Sequence, residues 1–234
     1  MRHPFDLKNE VRTSGLVAGR HLKSGHRHDR HATAYFGVAP SVFLSLINRW
    51  HRSGPASKAE DVTFVDFGAG MGRAVLLAAE MPFRAVCGVE LNPNLARVAR
   101  NNLRIWRSAG RARSVARIFC QDATEFDYPA GSVLVFLFNP FGATVLRRVL
   151  QKMAVAFQDR PRQLDLVYVN NEQERELEKA KGFVRLFQGK VRRSRADAKA
   201  DHAILANQPD GEYASSDHED CSIWRWVGKD VSGD

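Results

Sequence analysis

Long apolar runs are missing from this 234-residue chain. No stretch approaches the ~20 residues that span a bilayer as a helix, which excludes a helical membrane protein and a membrane partner. Cysteine is scarce, with three residues, Cys87, Cys120 and Cys221, far apart and odd in number. That excludes a disulfide framework or a zinc ribbon. Cys87 and Cys120 lie in apolar strand-like runs and read as buried thiols in a reducing compartment. The opening Met1-Arg2-His3-Pro4-Phe5-Asp6 has no apolar core of a secretory signal, so the expected location is cytoplasmic. There is no internal repeat, and no acidic residue occurs from Leu91 to Gln121.

What is present begins with composition. The hydrophobic fraction of 44% supports a real core, and the net charge of +9 permits an anionic partner such as RNA without requiring one. The chain is organised around Asp66-Phe67-Gly68-Ala69-Gly70-Met71-Gly72-Arg73. An apolar run, Val62–Phe67, leads in, and a helical pattern, Arg73–Met81, leads out. Glycines let the backbone turn sharply and a ligand approach it closely, and the following helix start offers unpaired N–H groups. A dinucleotide fingerprint would place a third glycine where Arg73 stands. Asp66, two residues before the first glycine, disfavours a pyrophosphate and suits an ammonium group. Glu90 ends the next strand-like run, Ala85–Val89, where an acid accepts hydrogen bonds from ribose hydroxyls. Together these residues read as the nucleoside and amino-acid ends of S-adenosyl-L-methionine; a nicotinamide site with a degenerate third glycine is the rival.

Residues 1–39 form a basic, histidine-rich arm, expected to be solvated or partly ordered and a candidate cover for the cofactor. His21, His26, His28 and His31 crowd into it, but no cysteine or carboxylate completes a persuasive ligand set, so no metal is expected. Thr13-Ser14-Gly15 and Tyr35-Phe36-Gly37 are its expected contact points if it folds over the ligand. Residues 40–234 form the main domain. Pro40–Trp50 has an apolar helical stripe. Strands are expected at Val62–Phe67, Ala85–Val89, Val115–Cys120, Ser132–Phe138 and Leu164–Val169, with an antiparallel pair at Phe183–Phe187 and Ser222–Val227. Helices are expected at Arg73–Met81, from Pro93 with Asn92 as its cap, at Ala143–Phe157 and at Glu174–Lys181. Lys190–Asp220 reads as a long polar connection, functional or disordered. Alternation of this kind gives an open, mostly parallel α/β sheet with helices on both faces.

Arg97, Arg100, Arg104, Arg107 and Arg111 recur at three and four residues and share one helix face opposite Leu95, Val98, Ala99 and Trp106. That face is a solvated surface or a ridge for phosphates. Asp66, Glu90, Asp122, Asn139 and Asn170 all fall at strand ends, where such sheets bind ligands. Asp122 can take an adenine amine or cap the turn after it. Asn139 can aim its amide and carbonyl into the cleft, with Phe141 as a wall.

Asp66-Phe67-Gly68-Ala69-Gly70-Met71-Gly72, Glu90, Asp122 and Asn139-Pro140-Phe141 together resemble the class I S-adenosylmethionine-dependent methyltransferases. Phe5-Asp6, Thr13-Ser14-Gly15 and Tyr35 are similar to segments of uncharacterised bacterial members. The resemblance implies a Rossmann-like seven-stranded sheet with its last strand pair antiparallel. It implies a cofactor site of Asp66, Gly68, Ala69, Gly70, Gly72, Glu90, Leu91, Asp122, Ala123 and Asn139. Asn139 matches the first residue of the Asn-Pro-Pro-aromatic motif of many N-methyltransferases, with the second proline absent, which points to a nitrogen of a protein or small molecule as acceptor. Asn139 would orient the acceptor's lone pair, and Tyr35 or Glu172 would take a proton. The alternative is a cofactor-binding RNA-associated protein, or an RNA methyltransferase, using the arginine-rich helix.

Overall fold

The computed structural model describes residues 1–207 and 216–228; the end of the expected 40–234 domain and part of the Lys190–Asp220 connection lie outside the described residues. Among the described residues seven strands form one sheet: β1 Val62–Phe67, β2 Ala85–Glu90, β3 Ala116–Cys120, β4 Ser132–Phe138, β5 Leu164–Val169, β6 Phe183–Arg192 and β7 His218–Trp226. Their order is β3-β2-β1-β4-β5-β7-β6. The first five run parallel, and β7 is antiparallel to both β5 and β6. Seven helices accompany them among the described residues: α1 Pro4–Asn9, α2 Pro40–Arg52, α3 Arg73–Ala79, α4 Pro93–Ser108, α5 Ala143–Ala156, α6 Glu174–Lys179 and α7 Arg195–Ala206. None is long and apolar enough to cross a membrane.

Every residue of β1 is buried because both faces of the sheet are covered. Alternate side chains separate into two cores. Phe64, Leu134 and Phe136 join Phe43 and Trp50 of α2 and Val75 of α3 on one face. Val65, Phe67, Val135 and Leu137 join Leu146, Val149 and Met153 of α5 on the other. Each fully buried side chain of this size contributes roughly 1.5–3 kcal/mol. A buried polar clasp ties the layers together. Arg225 of β7 reaches both oxygens of Asp165 in β5, at 2.7 and 3.0 Å, and Trp50 Nε1 donates to the same carboxylate at 2.8 Å.

Four expectations need correction. The arm is ordered, not solvated: the Asp6 carboxylate accepts from the backbone and hydroxyls of Thr13 and Ser14. Arg73, 2% exposed at the start of α3, donates to Thr13 O at 3.1 Å, Thr13 Oγ1 at 2.7 Å and Gly37 O at 3.0 Å. Asn102 of α4 fixes Arg12 by accepting from its N–H and donating to its carbonyl. Second, β6 spans ten residues, and α7 occupies part of the expected polar connection. The edge strand β6 is mostly exposed, and the buried positions of α7 are Asp197, Asp201 and Ile204, so neither leaves an apolar pattern. Third, Cys120 is exposed at the end of edge strand β3 and Cys87 only partly buried; all three cysteines are free. Fourth, Arg111 lies beyond the end of α4, its guanidinium stacked 5.1 Å from the Trp106 ring, and does not extend the arginine row.

Candidate functional site

The glycine turn between β1 and α3 is built from left-handed backbone, with φ of 72° at Gly68, 54° at Gly70 and 89° at Gly72. Its close neighbours exclude side chains as well. A Cβ at Gly68 would lie 2.3 Å from Pro140 and one at Gly70 2.1 Å from the Tyr35 ring. Gly68 and Ala69 donate to the carbonyl of Val89, which docks the turn on the tip of β2. Gly72, expected at the cofactor, instead packs toward Ala99 of α4, where a Cβ would meet the Ala99 methyl at 3.2 Å. The reason is geometric: Gly72 starts α3, and α4 crosses behind it.

A cavity lies over this turn, walled by Asp66, Gly68, Gly70 and Ala69 below, by Glu90 and Leu91 from β2, and by Asp122 and Ala123 after β3. Tyr35 and His28 of the arm close it from above. Glu90, expected to hold ribose, already accepts from Gly70 N–H and Asn92 N–H, both at 2.7 Å. It therefore also shapes the turn, and its remaining lone pairs are what a ribose would meet. Burial raises its pKa, opposed by these N–H groups. Asp66 is 3% exposed; burial, reinforced by the charge of Glu90, pushes its carboxyl well above the usual range. Neither acid forms an ion pair among the described residues; Arg73 also lines the cavity, but its guanidinium donates to Thr13 and Gly37 of the arm.

At the other end, Asp122 caps its turn by accepting from Thr124 N–H at 2.7 Å and Thr124 Oγ1 at 2.9 Å. Its second oxygen lies 2.5 Å from His28 Nδ1. Arg148 Nη1 sits 2.9 Å from His28 Nε2, and a guanidinium cannot accept, so Nε2 carries the lone pair and Nδ1–H donates to Asp122. Burial raises the Asp122 pKa, but the Thr124 and His28 hydrogen bonds outweigh it and hold the carboxyl below its ordinary value. Asp122 also forms a group with His26 and His28 whose ligand atoms lie within 4.8 Å of one another, the carboxylate coming from outside the arm. The Arg148 contact favours a proton over a metal at His28 Nδ1.

The expected catalytic residues fare differently. Tyr35 does not fit a proton acceptor: its hydroxyl donates to Thr13 O at 2.8 Å, and burial pushes its pKa far up. Asn139 is buried at the tip of β4 with φ 39°, but it turns away from the turn's cavity. Its carbonyl accepts from Thr33 Oγ1 of the arm and its Oδ1 from Tyr168 at 3.2 Å. Glu172 is exposed beyond β5 and accepts from Asn170 Nδ2 at 3.2 Å. Asn139, Asn170 and Glu172 line a second cavity that shares Ala32, Thr33 and Phe138 with the first. The contributions of His28 and Thr33 were not legible in advance, because nothing local indicates which strand tip an arm residue reaches.

No family model matches the sequence, and no curated protein does. Solved structures match the fold. The [4+2]-cyclase SpnF is 15% identical with a TM-score of 0.57, covering 81% of this chain and 82% of that one. A proposed RNA methyltransferase of Pyrococcus horikoshii is 18% identical with a TM-score of 0.52, covering 80% and 83%. TrmN from Thermus thermophilus is 14% identical with a TM-score of 0.50, covering 81% of this chain and 49% of that one. The chain thus has the Rossmann-like methyltransferase fold, with the last strand pair antiparallel. A cyclase shares that fold, so the chemistry rests on the site itself.

Proposed function

We propose that this protein is an S-adenosyl-L-methionine-dependent methyltransferase. The observation that carries the reading is the pair of buried carboxylates, Asp66 and Glu90, without an ion-pair partner, facing one cavity over a left-handed glycine turn. A dinucleotide would bring phosphates to these acids, whereas S-adenosyl-L-methionine brings an ammonium and a sulfonium. When bound, it supplies an electrophilic methyl group. Gly68, Ala69 and Gly70 leave room for its methionine part, and Asp66 faces the ammonium. Glu90 receives ribose hydroxyls, Leu91 packs beside the ribose, and Asp122 with Ala123 N–H takes the adenine edge. Asn139 positions the far wall through its backbone and is not a direct cofactor contact. Residues 1–39 cover the site and exclude water. Because His28 holds Asp122 and Tyr35 lies on Gly70, loading requires the arm to shift. Three free thiols, one exposed, support a cytoplasmic location.

Calorimetric titration tests this. S-adenosyl-L-methionine or its demethylated product binds, and NAD binds at least tenfold more weakly. Glu90→Gln weakens cofactor binding by roughly 1.5–3 kcal/mol, the worth of a hydrogen bond to a charged group. Preferred NAD binding overturns the reading.

A further inference from the structure

The second cavity has no role so far. It holds about 510 Å³, within the range of small-molecule sites. It opens beyond Phe138 of β4 and Asn139 just after it, Asn170 and Glu172 after β5, and Glu219 of β7, with Thr33 and Phe36 of the arm as its wall toward the first cavity. Asn139 and Asn170 sit at the ends of adjacent strands, both with positive φ, 39° and 48°. Asparagine tolerates that conformation best among residues with side chains, yet it still costs energy, and such strain collects at ligand sites. Of the acids here, Glu219 is bound to Arg193, whereas Glu172 meets only the Asn170 amide and forms no ion pair among the described residues.

Resting on the methyl-transfer reading, we infer that this cavity takes the methyl acceptor and that the acceptor is a small amine on an apolar body. Phe36 and Phe138 receive the body, and Glu172 faces the nitrogen. The lining also holds Arg20 and Arg193, with Arg193 bound to Glu219, so among the described residues Glu172 is the acid left without an ion pair to meet an ammonium. Before reaction the ammonium pairs with Glu172, then loses its proton to water. The free lone pair forms the N–C bond as the C–S bond breaks, with that electron pair left on sulfur. One positive charge thus passes from sulfur to nitrogen, toward the Glu172 carboxylate, which stabilises the developing ammonium. A polymer is disfavoured by position. The arginine helix α4 packs against β2 and β3, and β3 is four strands from β5, about 19 Å at ~4.8 Å per strand. Two of its arginines are already engaged with the sheet edge: Arg100 donates to Ile118 O at 3.3 Å, and Arg107 donates to Ala116 O.

The test uses phenethylamine, with 2-phenylethanol and phenylacetate as matched probes, and total cellular RNA as a separate arm. Binding is read by calorimetry with and without the demethylated cofactor, and transfer by label from S-adenosyl-L-methionine. Phenethylamine binds at least tenfold more tightly than either analogue. Glu172→Gln removes that preference while leaving 2-phenylethanol and cofactor binding unchanged, and Leu205→Trp, at the α7 residue that lines the cavity, fills it and weakens both amine and alcohol. Equal binding of amine and alcohol, an unaffected Glu172→Gln variant, or label entering only RNA overturns the inference. Amine binding without any cofactor binding would instead overturn the methyltransferase reading and leave the amine site standing.

Discussion

His28 Nδ1 lies 2.5 Å from Asp122 Oδ2, so a histidine of the N-terminal arm occupies the strand tip at which an adenine amine is expected. The ligand and the arm compete for one carboxylate. His28→Ala therefore strengthens binding of the demethylated cofactor about three- to tenfold by calorimetry, because the charged hydrogen bond no longer has to be broken. It also lowers the melting temperature of the free protein. Weaker cofactor binding in this variant would show that His28 helps to hold the ligand.

The same histidine decides a metal question. With Arg148 donating to Nε2, His28 carries its proton on Nδ1, and a metal there would have to displace that proton and leave Nε2–H facing a guanidinium. Zinc added in small excess shifts the melting temperature by less than about 1 °C. Arg148→Ala removes the obstacle and makes His26, His28 and Asp122 a better metal site. A zinc-dependent rise in the unsubstituted protein would contradict the assigned tautomer.

Two glycines separate strain from packing. Gly54 has φ 65° and open space around its Cβ position, whereas Gly70 has φ 54° and the Tyr35 ring 2.1 Å away. Gly54→Ala costs about 1 kcal/mol in denaturant unfolding, the left-handed penalty alone. Gly70→Ala costs about 2–4 kcal/mol, because overpacking against Tyr35 adds to it, and it loosens the arm. Equal costs would mean that Tyr35 yields freely.

Two buried groups act on acid stability. His3 Nε2 lies 3.5 Å from Asp197 and 3.9 Å from Asp201, and Asp201 lies 3.4 Å from Arg193. Burial, assisted by Arg73, lowers the His3 pKa from 6.5 to about 4, and burial raises that of Asp201 from 3.8 to about 6 despite Arg193. Between about pH 4 and 6 the unfolded chain carries the extra proton on His3 and the folded chain carries it on Asp201, so their contributions to the pH slope oppose each other. Asp201→Asn leaves the histidine contribution alone. Its stability is complete above pH 6.5 and declines as pH falls toward 4, while at pH 7.5 the loss of a buried charge raises stability by about 1 kcal/mol. Thermal melts across pH 4–8 read both effects; a slope equal to that of the unsubstituted protein would refute the opposing contribution of Asp201.

The arginine row has a structural use. Arg100 and Arg107 cover carbonyls of edge strand β3, whereas Arg104 donates to Asn101 on its own helix. Arg104→Ala changes stability by less than about 0.5 kcal/mol. Arg100→Glu with Arg104→Glu leaves amine methylation within a few-fold and cofactor binding unchanged. Loss of RNA binding together with activity, with a salt slope reduced by about two, would return RNA as the acceptor.

What the chain determined locally is the frame of the site. Val62–Phe67, Gly68, Gly70 and the acids Asp66 and Glu90 were legible because strand burial, a glycine turn and a carboxylate at a strand tip each have a short-range signature. The antiparallel last pair was legible too, though β6 was read short, since an exposed edge strand leaves little apolar pattern. Other features needed tertiary structure. Asp6 and Arg73 order the arm through buried polar contacts, and polar burial has no periodicity to read. The acidic buried face of α7 is hidden for the same reason. His28 meets Asp122 across 94 residues, and Thr33 meets Asn139 across 106. The sequence holds both partners, but only packing decides that they touch, because a hydrogen bond depends on separation in space and leaves no mark on separation along the chain.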